Sequence, residues 1–264
     1  CEKLLKDNFG NRSIAGKTQE YFDVIAINMW GDREVTDLDG KLTTEKNFAR
    51  GLDVQYTPTL LFLDEQGELV TRLNGYFPPH QFSAVLDYVG GRKEKEIDIR
   101  SYVAQQAPAE ASGKLHVEEG FLTSPVNLSG ENEQPLLVLF EQKQCPECDE
   151  LHLDILQREE SKALLERLNV AVIDLWSDQK IMTPDGSEQK IIDWAKKLDI
   201  KYAPSLVYFD PAGNEVFRSD AYLRSFHVQS VMDYVSSGAY KTQTNFQRYI
   251  DDRAHKLRDQ GIEV

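Results

Sequence analysis

The chain predicts an α/β fold built from two tandem domains, each a mixed β-sheet flanked by helices. Three observations predict it. First, 264 residues are long for one small domain and comfortable for two. Second, the sequence repeats itself at an offset of 146 residues: positions 30–89 align without gaps on 176–235, with 19 identities in 60. Third, each copy alternates short apolar runs with helix-like stretches and then closes on a hairpin and a helix. Alternation followed by a hairpin means parallel and antiparallel strands in one sheet, covered by helices.

Taken in order, each copy reads the same way. A strand runs into a tryptophan, over residues 22–29 before Trp30 and 170–176 ending at Trp176. A polar loop with Asp39-Gly40 or Asp185-Gly186 follows, then a helix over 44–52 or 189–198. Tyr56-Thr57-Pro58 and Tyr202-Ala203-Pro204 come next. Each leads into two strands joined by a turn at 65–67 or 211–213, where glycine suits the tight reversal. The last shared element is a helix over 79–89 or 226–235.

The second copy also has a leading strand, the apolar run 136–140, and this run opens the most informative stretch of the chain. Four polar residues separate it from Cys145-Pro146-Glu147-Cys148, after which Leu151, Ile155 and Leu156 recur at helical spacing. That pattern places two cysteines at the N-terminus of a helix. Unpaired N–H groups and the partial positive charge there favour thiolate over thiol. Pro146 suits the first turn, where its missing N–H would have had no partner. Cys145 is expected at the exposed end as nucleophile, with Cys148 a turn deeper as the resolving thiol.

The first copy lacks a leading strand in this sequence. Cys1-Glu2-Lys3-Leu4 matches Cys148-Asp149-Glu150-Leu151, so Cys1 falls where the second cysteine of such a pair would stand. We expect residues upstream that complete the motif and the strand. The competing reading makes Cys1 the acylated first residue of a lipoprotein, which would be the only route to a membrane. The small, polar stretch 104–115 is expected to link domain one (1–103) to domain two (116–264).

Composition excludes several classes. Thirty basic and 44 acidic residues give a net charge of −14, which argues against nucleic acid as a partner. Apolar runs are far too short to span a bilayer. Three cysteines neither form a disulfide framework nor suffice for four-cysteine zinc ligation, so no metal is expected, and exchange between cysteines would need no other cofactor.

A dithiol at a helix start, with a proline opening a later strand after an aromatic residue, resembles the thioredoxin arrangement. Tyr56-Thr57-Pro58, Asp64 with Gly67, Gly75-Tyr76 and the closing Tyr-Val of each copy are similar to thioredoxin-like proteins of bacterial sulfur-oxidation clusters, the SoxW type. The resemblance implies a thiol–disulfide oxidoreductase in an extracytoplasmic, periplasmic compartment. Its partners would be protein disulfide substrates and a thiol electron donor. It further implies cis bonds before Pro58 and Pro204, with Thr57 and Ala203 offering backbone groups to an extended substrate.

Two positions depart from that pattern. Glu147 stands in the middle pair; a negative charge there opposes the thiolate and predicts a reductase, unless the side chain is simply solvated. Leu139 occupies the place, six residues before the first cysteine, where many thioredoxins keep a buried carboxylate. His152, one helical turn beyond Cys148, is expected on the helix surface, with tuning of the dithiol as the alternative. Trp30 and Trp176 are expected in loop or core packing, with flanking of the site as the alternative. A peptide-binding or chaperone-like module with secondary redox activity is the alternative function. A thiol peroxidase is disfavoured, because no Pro-x-x-x-Thr-x-x-Cys stretch precedes either cysteine.

Overall fold

Two stretches of chain each gather their own core, Cys1–Tyr102 and Val103–Val264. The structure is a computed structural model, and it describes residues 1–106, 110–122, 126–129, 133–220 and 224–262.

In the first unit a π-helical segment, Leu4–Phe9, precedes α1 (Arg12–Tyr21). Asn11 caps α1, its side-chain oxygen accepting from the N–H groups of Ser13 and Ile14. The expected polar loop around Asp39-Gly40 is a small antiparallel hairpin, β1 (Glu34–Thr36) with β2 (Leu42–Thr44), which feeds α2 (Glu45–Gly51). Gly40 takes φ +79° in its turn, a conformation that side chains with a Cβ resist. The main hairpin is β3 (Thr59–Leu63) with β4 (Leu69–Asn74), its turn closed by Asp64 Oδ1 accepting from Gln66 and Glu68 N–H at 2.9 Å. Next comes α3 (Pro79–Gly90), which buries Phe82, Val85, Leu86 and Val89 along one stripe. The unit closes into α4 (Ile99–Gln105).

The strand expected over 22–29 does not form. Its counterpart in the second copy is a strand because a neighbour supplies its ladder; this sequence holds no such neighbour for the first copy. Val24 is 66% exposed where its repeat-mate Val170 is 3% exposed. The apolar pattern is the same in both, and the missing hydrogen-bond partner decides the outcome.

The second unit has the full sheet. Its strands are β5 (Leu136–Glu141), β6 (Asn169–Asp174), β9 (Ser205–Phe209) and β10 (Glu215–Ser219), in the order β10-β9-β5-β6. Between β6 and β9 lies a small hairpin, β7 (Lys180–Met182) with β8 (Glu188–Lys190). Central β5 runs parallel to β6 and antiparallel to β9, and all six of its residues are buried. A strand covered on both faces reads as an unbroken apolar run, as 136–140 does. On one face Val138 and Phe140 join Ala171, Ile173, Val207 and Trp194, the indole 5.2 Å from the Phe140 ring.

The helices of this unit include α5 (Pro146–Glu150), which passes into a π-helical turn at Leu151–Ile155, then α6 (Glu159–Leu165) and α7 (Ile191–Lys197). The chain ends in α8 (Ser225–Ser236) and α9 (Phe246–Asp259). The three expected helices are α5, α7 and α8, and α6 and α9 are two more. Among the described residues no helix is long and apolar enough to cross a membrane.

The repeat extends to single hydrogen bonds. Arg72 on β4 donates to the carbonyls of Leu52 and Asp53 at the end of α2, and Arg218 on β10 donates to Leu198 O at the end of α7. Tyr88 and Tyr234 each donate to a carbonyl nine residues on, Ile97 and Gln243. The stretch expected to be a linker is partly structured: Ala104 and Gln105 end α4, and Ser112 is fastened to Asp149.

Candidate active site

Central β5 delivers the chain to the dithiol. Its last residue, Glu141, is fully buried, and its carbonyl accepts from Leu175 N–H at 3.0 Å. Gln142 then accepts from the Trp176 indole at 2.9 Å and donates to Gln144 O at 3.0 Å. These bonds shape the turn that presents Cys145. Trp176 therefore packs against the turn that leads to the site.

Cys145 is the N-cap of α5, and Pro146 takes the first helical position. Cys145 and Cys148 are joined as a disulfide, with Cα atoms 5.2 Å apart. The Cys148 N–H donates to Cys145 Sγ at 3.1 Å, so an otherwise orphaned helix donor is aimed at the first sulfur. Cys145 was expected at the exposed end, yet only 2% of its surface is accessible, against 1% for Cys148. Burial likewise corrects the solvated reading of Glu147, which is 6% exposed.

Ala203–Pro204 and Thr57–Pro58 are both cis. Phe140 on β5 pairs with Ser205, the first residue of β9. Pro204 therefore lies at the end of the sheet from which the chain leaves toward Cys145. In each copy the hydroxyl after the proline donates to the tyrosine carbonyl, Thr59 to Tyr56 at 2.8 Å and Ser205 to Tyr202 at 2.7 Å. Cys1 is a free, exposed thiol. It opens the same helical-to-π passage that follows Cys148, Leu4–Phe9 matching Leu151–Ile155.

His152 overturns the expectation of a surface histidine. It is 1% exposed and lies between two carboxylates: Nε2 is 3.0 Å from Glu141 Oε1, and Nδ1 is 2.8 Å from Glu118 Oε1. Burial opposes the imidazolium, but the hydrogen bonds and charges of Glu141 and Glu118 outweigh it, raising the pKa above the ordinary histidine value. The His116 ring stacks on His152 with centroids 5.1 Å apart, and its Nε2 is 2.6 Å from Asp149 Oδ1. Ser112 donates to Asp149 through both its N–H and its hydroxyl. Burial tends to raise the Asp149 pKa, but these hydrogen bonds and His116 hold it below the usual aspartate value.

Leu139 is apolar and buried as its identity requires, but a buried carboxylate does stand on the same strand, two residues farther on at Glu141. A signal for it was available: Glu141 directly continues an apolar strand, where a buried charge needs a partner, and His152 supplies one. Glu118, His116 and Ser112 carried no such signal, since only the fold brings them to α5.

The family model for a thioredoxin-like domain matches the chain twice, over residues 1–90 and 125–236. Among solved structures, a thioredoxin-fold protein from Helicobacter pylori is similar at 14% identity and a TM-score of 0.45, covering 52% of this chain and 94% of its own. No curated protein matches. With the family model spanning both copies of the repeat, the chain belongs to the thioredoxin-like domain family.

Proposed function

We propose that the protein is a thiol–disulfide oxidoreductase that reduces or interchanges disulfides of partner proteins through Cys145 and Cys148. The observation that carries this reading is the Cys145–Cys148 disulfide at the start of α5, with the Cys148 N–H directed at Cys145 Sγ. A thiol donor reduces this disulfide and is itself oxidised. Cys145 thiolate then attacks a partner disulfide, forming a mixed disulfide and releasing one partner thiolate. Cys148 attacks the Cys145 sulfur, the mixed S–S bond breaks, and the second partner sulfur leaves with its electron pair. No further cofactor enters the cycle.

In this reading an extended partner segment pairs with the backbone of Ala203 beside Pro204, at the sheet end that carries the site. Thr57 and Pro58 would serve a second site completed by Cys1. Glu147 biases the dithiol toward reduction by opposing the thiolate, and Pro146 starts the helix that supports it. A periplasmic setting, as in the sulfur-oxidation type, is part of the proposal. Insulin reduction with dithiothreitol as donor tests it: the wild type should turn over and Cys145→Ser should not. A wild type that shows no turnover, with aggregation of a client suppressed equally by Cys145→Ser, would replace the enzyme with a peptide-binding module.

A further inference from the structure

Resolution of a mixed disulfide requires the buried Cys148 to lose a proton, and an interior site needs a route by which that proton leaves. Only 1% of Cys148 is accessible. His152 lies four residues farther along the chain, in the π-helical turn into which α5 passes. Its two ring nitrogens bridge two carboxylates of very different exposure. The Glu141 side chain is 0% exposed, that of Glu118 24%. Glu141 Oε1 is engaged by His152, whereas Glu141 Oε2 is buried with no hydrogen-bond partner. An unsatisfied carboxylate oxygen in an interior is costly, which marks this one as reserved for a group that arrives during turnover. At the outer end, Gln157 donates to Glu118 Oε2 at 3.0 Å and steadies the carboxylate without shutting it from water.

We propose that Glu141, His152 and Glu118 form a proton wire that drains the Cys148 thiol to solvent during resolution. The inference rests on the oxidoreductase reading above. As the Cys148 S–H bond breaks, its electron pair stays on sulfur and attacks Cys145 Sγ; the proton passes to Glu141. With the ring neutral and its proton on Nδ1, His152 Nε2 takes a proton from Glu141 to form the imidazolium, Nδ1 then yields its proton to Glu118, and Glu118 releases it to water. The partner thiolate leaves with the electrons of the broken mixed disulfide, so charge and atoms balance.

The charged and titratable groups around the imidazole are Glu141 from β5, Glu118 and His116 from the segment 110–122, and Asp149 on its own helix, with the Phe121 ring edge-on to it. Its raised pKa agrees with an imidazole held ready to carry a proton. Counting from Cys1 as from Cys148, the first copy has Leu5 at the equivalent place, 63% exposed.

The test uses the full chain in its reduced form, mixed with excess oxidised glutathione, acid-quenched, and alkylated for mass spectrometry. This separates formation of the Cys145 mixed disulfide from its resolution by Cys148, across pH 5–9. Glu141→Gln should leave formation within about twofold and slow resolution by about 10²-fold, the usual scale of lost proton transfer. Glu118→Gln, at the accessible end, leaves the buried pair in place. It should slow resolution in dilute buffer and be rescued by added imidazole, which a purely structural role would not produce. Resolution at the wild-type rate and pH profile in both variants overturns the wire and leaves the oxidoreductase standing. A wild type that forms no mixed disulfide at all overturns both.

Discussion

His152 Nε2 stands 3.0 Å from Glu141 Oε1, and neither residue is more than 1% exposed. Because the folded pKa of His152 lies above its unfolded value of about 6.5, the charged ring stabilises the fold fully below that pH. The contribution is lost as pH rises through the folded pKa. Urea midpoints should therefore fall on going from pH 6 toward pH 9 in the wild type. His152→Ala should remove this decline and cost about 3–5 kcal/mol at pH 6, since it leaves the Glu141 charge buried without its partner. A variant with the wild-type slope would assign the pH dependence elsewhere.

Asp149 titrates in the opposite sense. Its folded pKa is depressed, so its contribution is present above the unfolded value of about 3.9 and lost as pH falls through the folded one. Acid should release residues 112–116 from α5 first. Amide exchange at Ser112, whose N–H is bonded to Asp149 Oδ2 at 2.7 Å, should accelerate below pH 4 and at all pH values in Asp149→Asn. The expected loss of local protection is about 1–2 kcal/mol.

Arg218 and Arg72 hold the ends of equivalent helices. Each spans from a strand to a carbonyl at 2.6 Å, Leu198 O and Leu52 O. Replacement of either by alanine should cost about 1–2 kcal/mol in denaturant unfolding. Lysine should not restore it, because a single ammonium cannot reproduce the planar fork that Arg72 directs at two successive carbonyls.

Glu147 lies between the cysteines and is buried. If its charge opposes the thiolate, Glu147→Gln should raise the reduction potential by about 10–30 mV, corresponding to roughly 0.5–1.4 kcal/mol for a two-electron couple. Equilibration against glutathione measures it. A lower potential would remove the electrostatic basis for calling the protein a reductase.

The legible parts of this molecule were those set by neighbours in sequence. Alternating apolar runs, turn glycines and the Cys145-Pro146-Glu147-Cys148 pair at a helix start all act over a few residues, and every element they define but the strand over 22–29 is present. What was not legible depends on pairing across the fold. Residues 22–29 carry strand chemistry, but a strand is a relation between two segments, and only β6 has its partner. His152 read as a surface residue because polarity was weighed without the two carboxylates, 34 and 11 residues earlier, that make its burial tolerable. Asp149 and Ser112 are 37 residues apart and meet only because the segment 110–122 returns to α5.

The duplication carries an internal standard for any measurement on the Cys145–Cys148 dithiol. Trp30 and Trp176 occupy equivalent places, and the Trp176 indole reaches the turn before Cys145 through Gln142. An optical change confined to Trp176 reports chemistry at the site, whereas one shared with Trp30 reports the solvent or the temperature. One polypeptide thus supplies both signal and baseline, and single-tryptophan variants can read them apart.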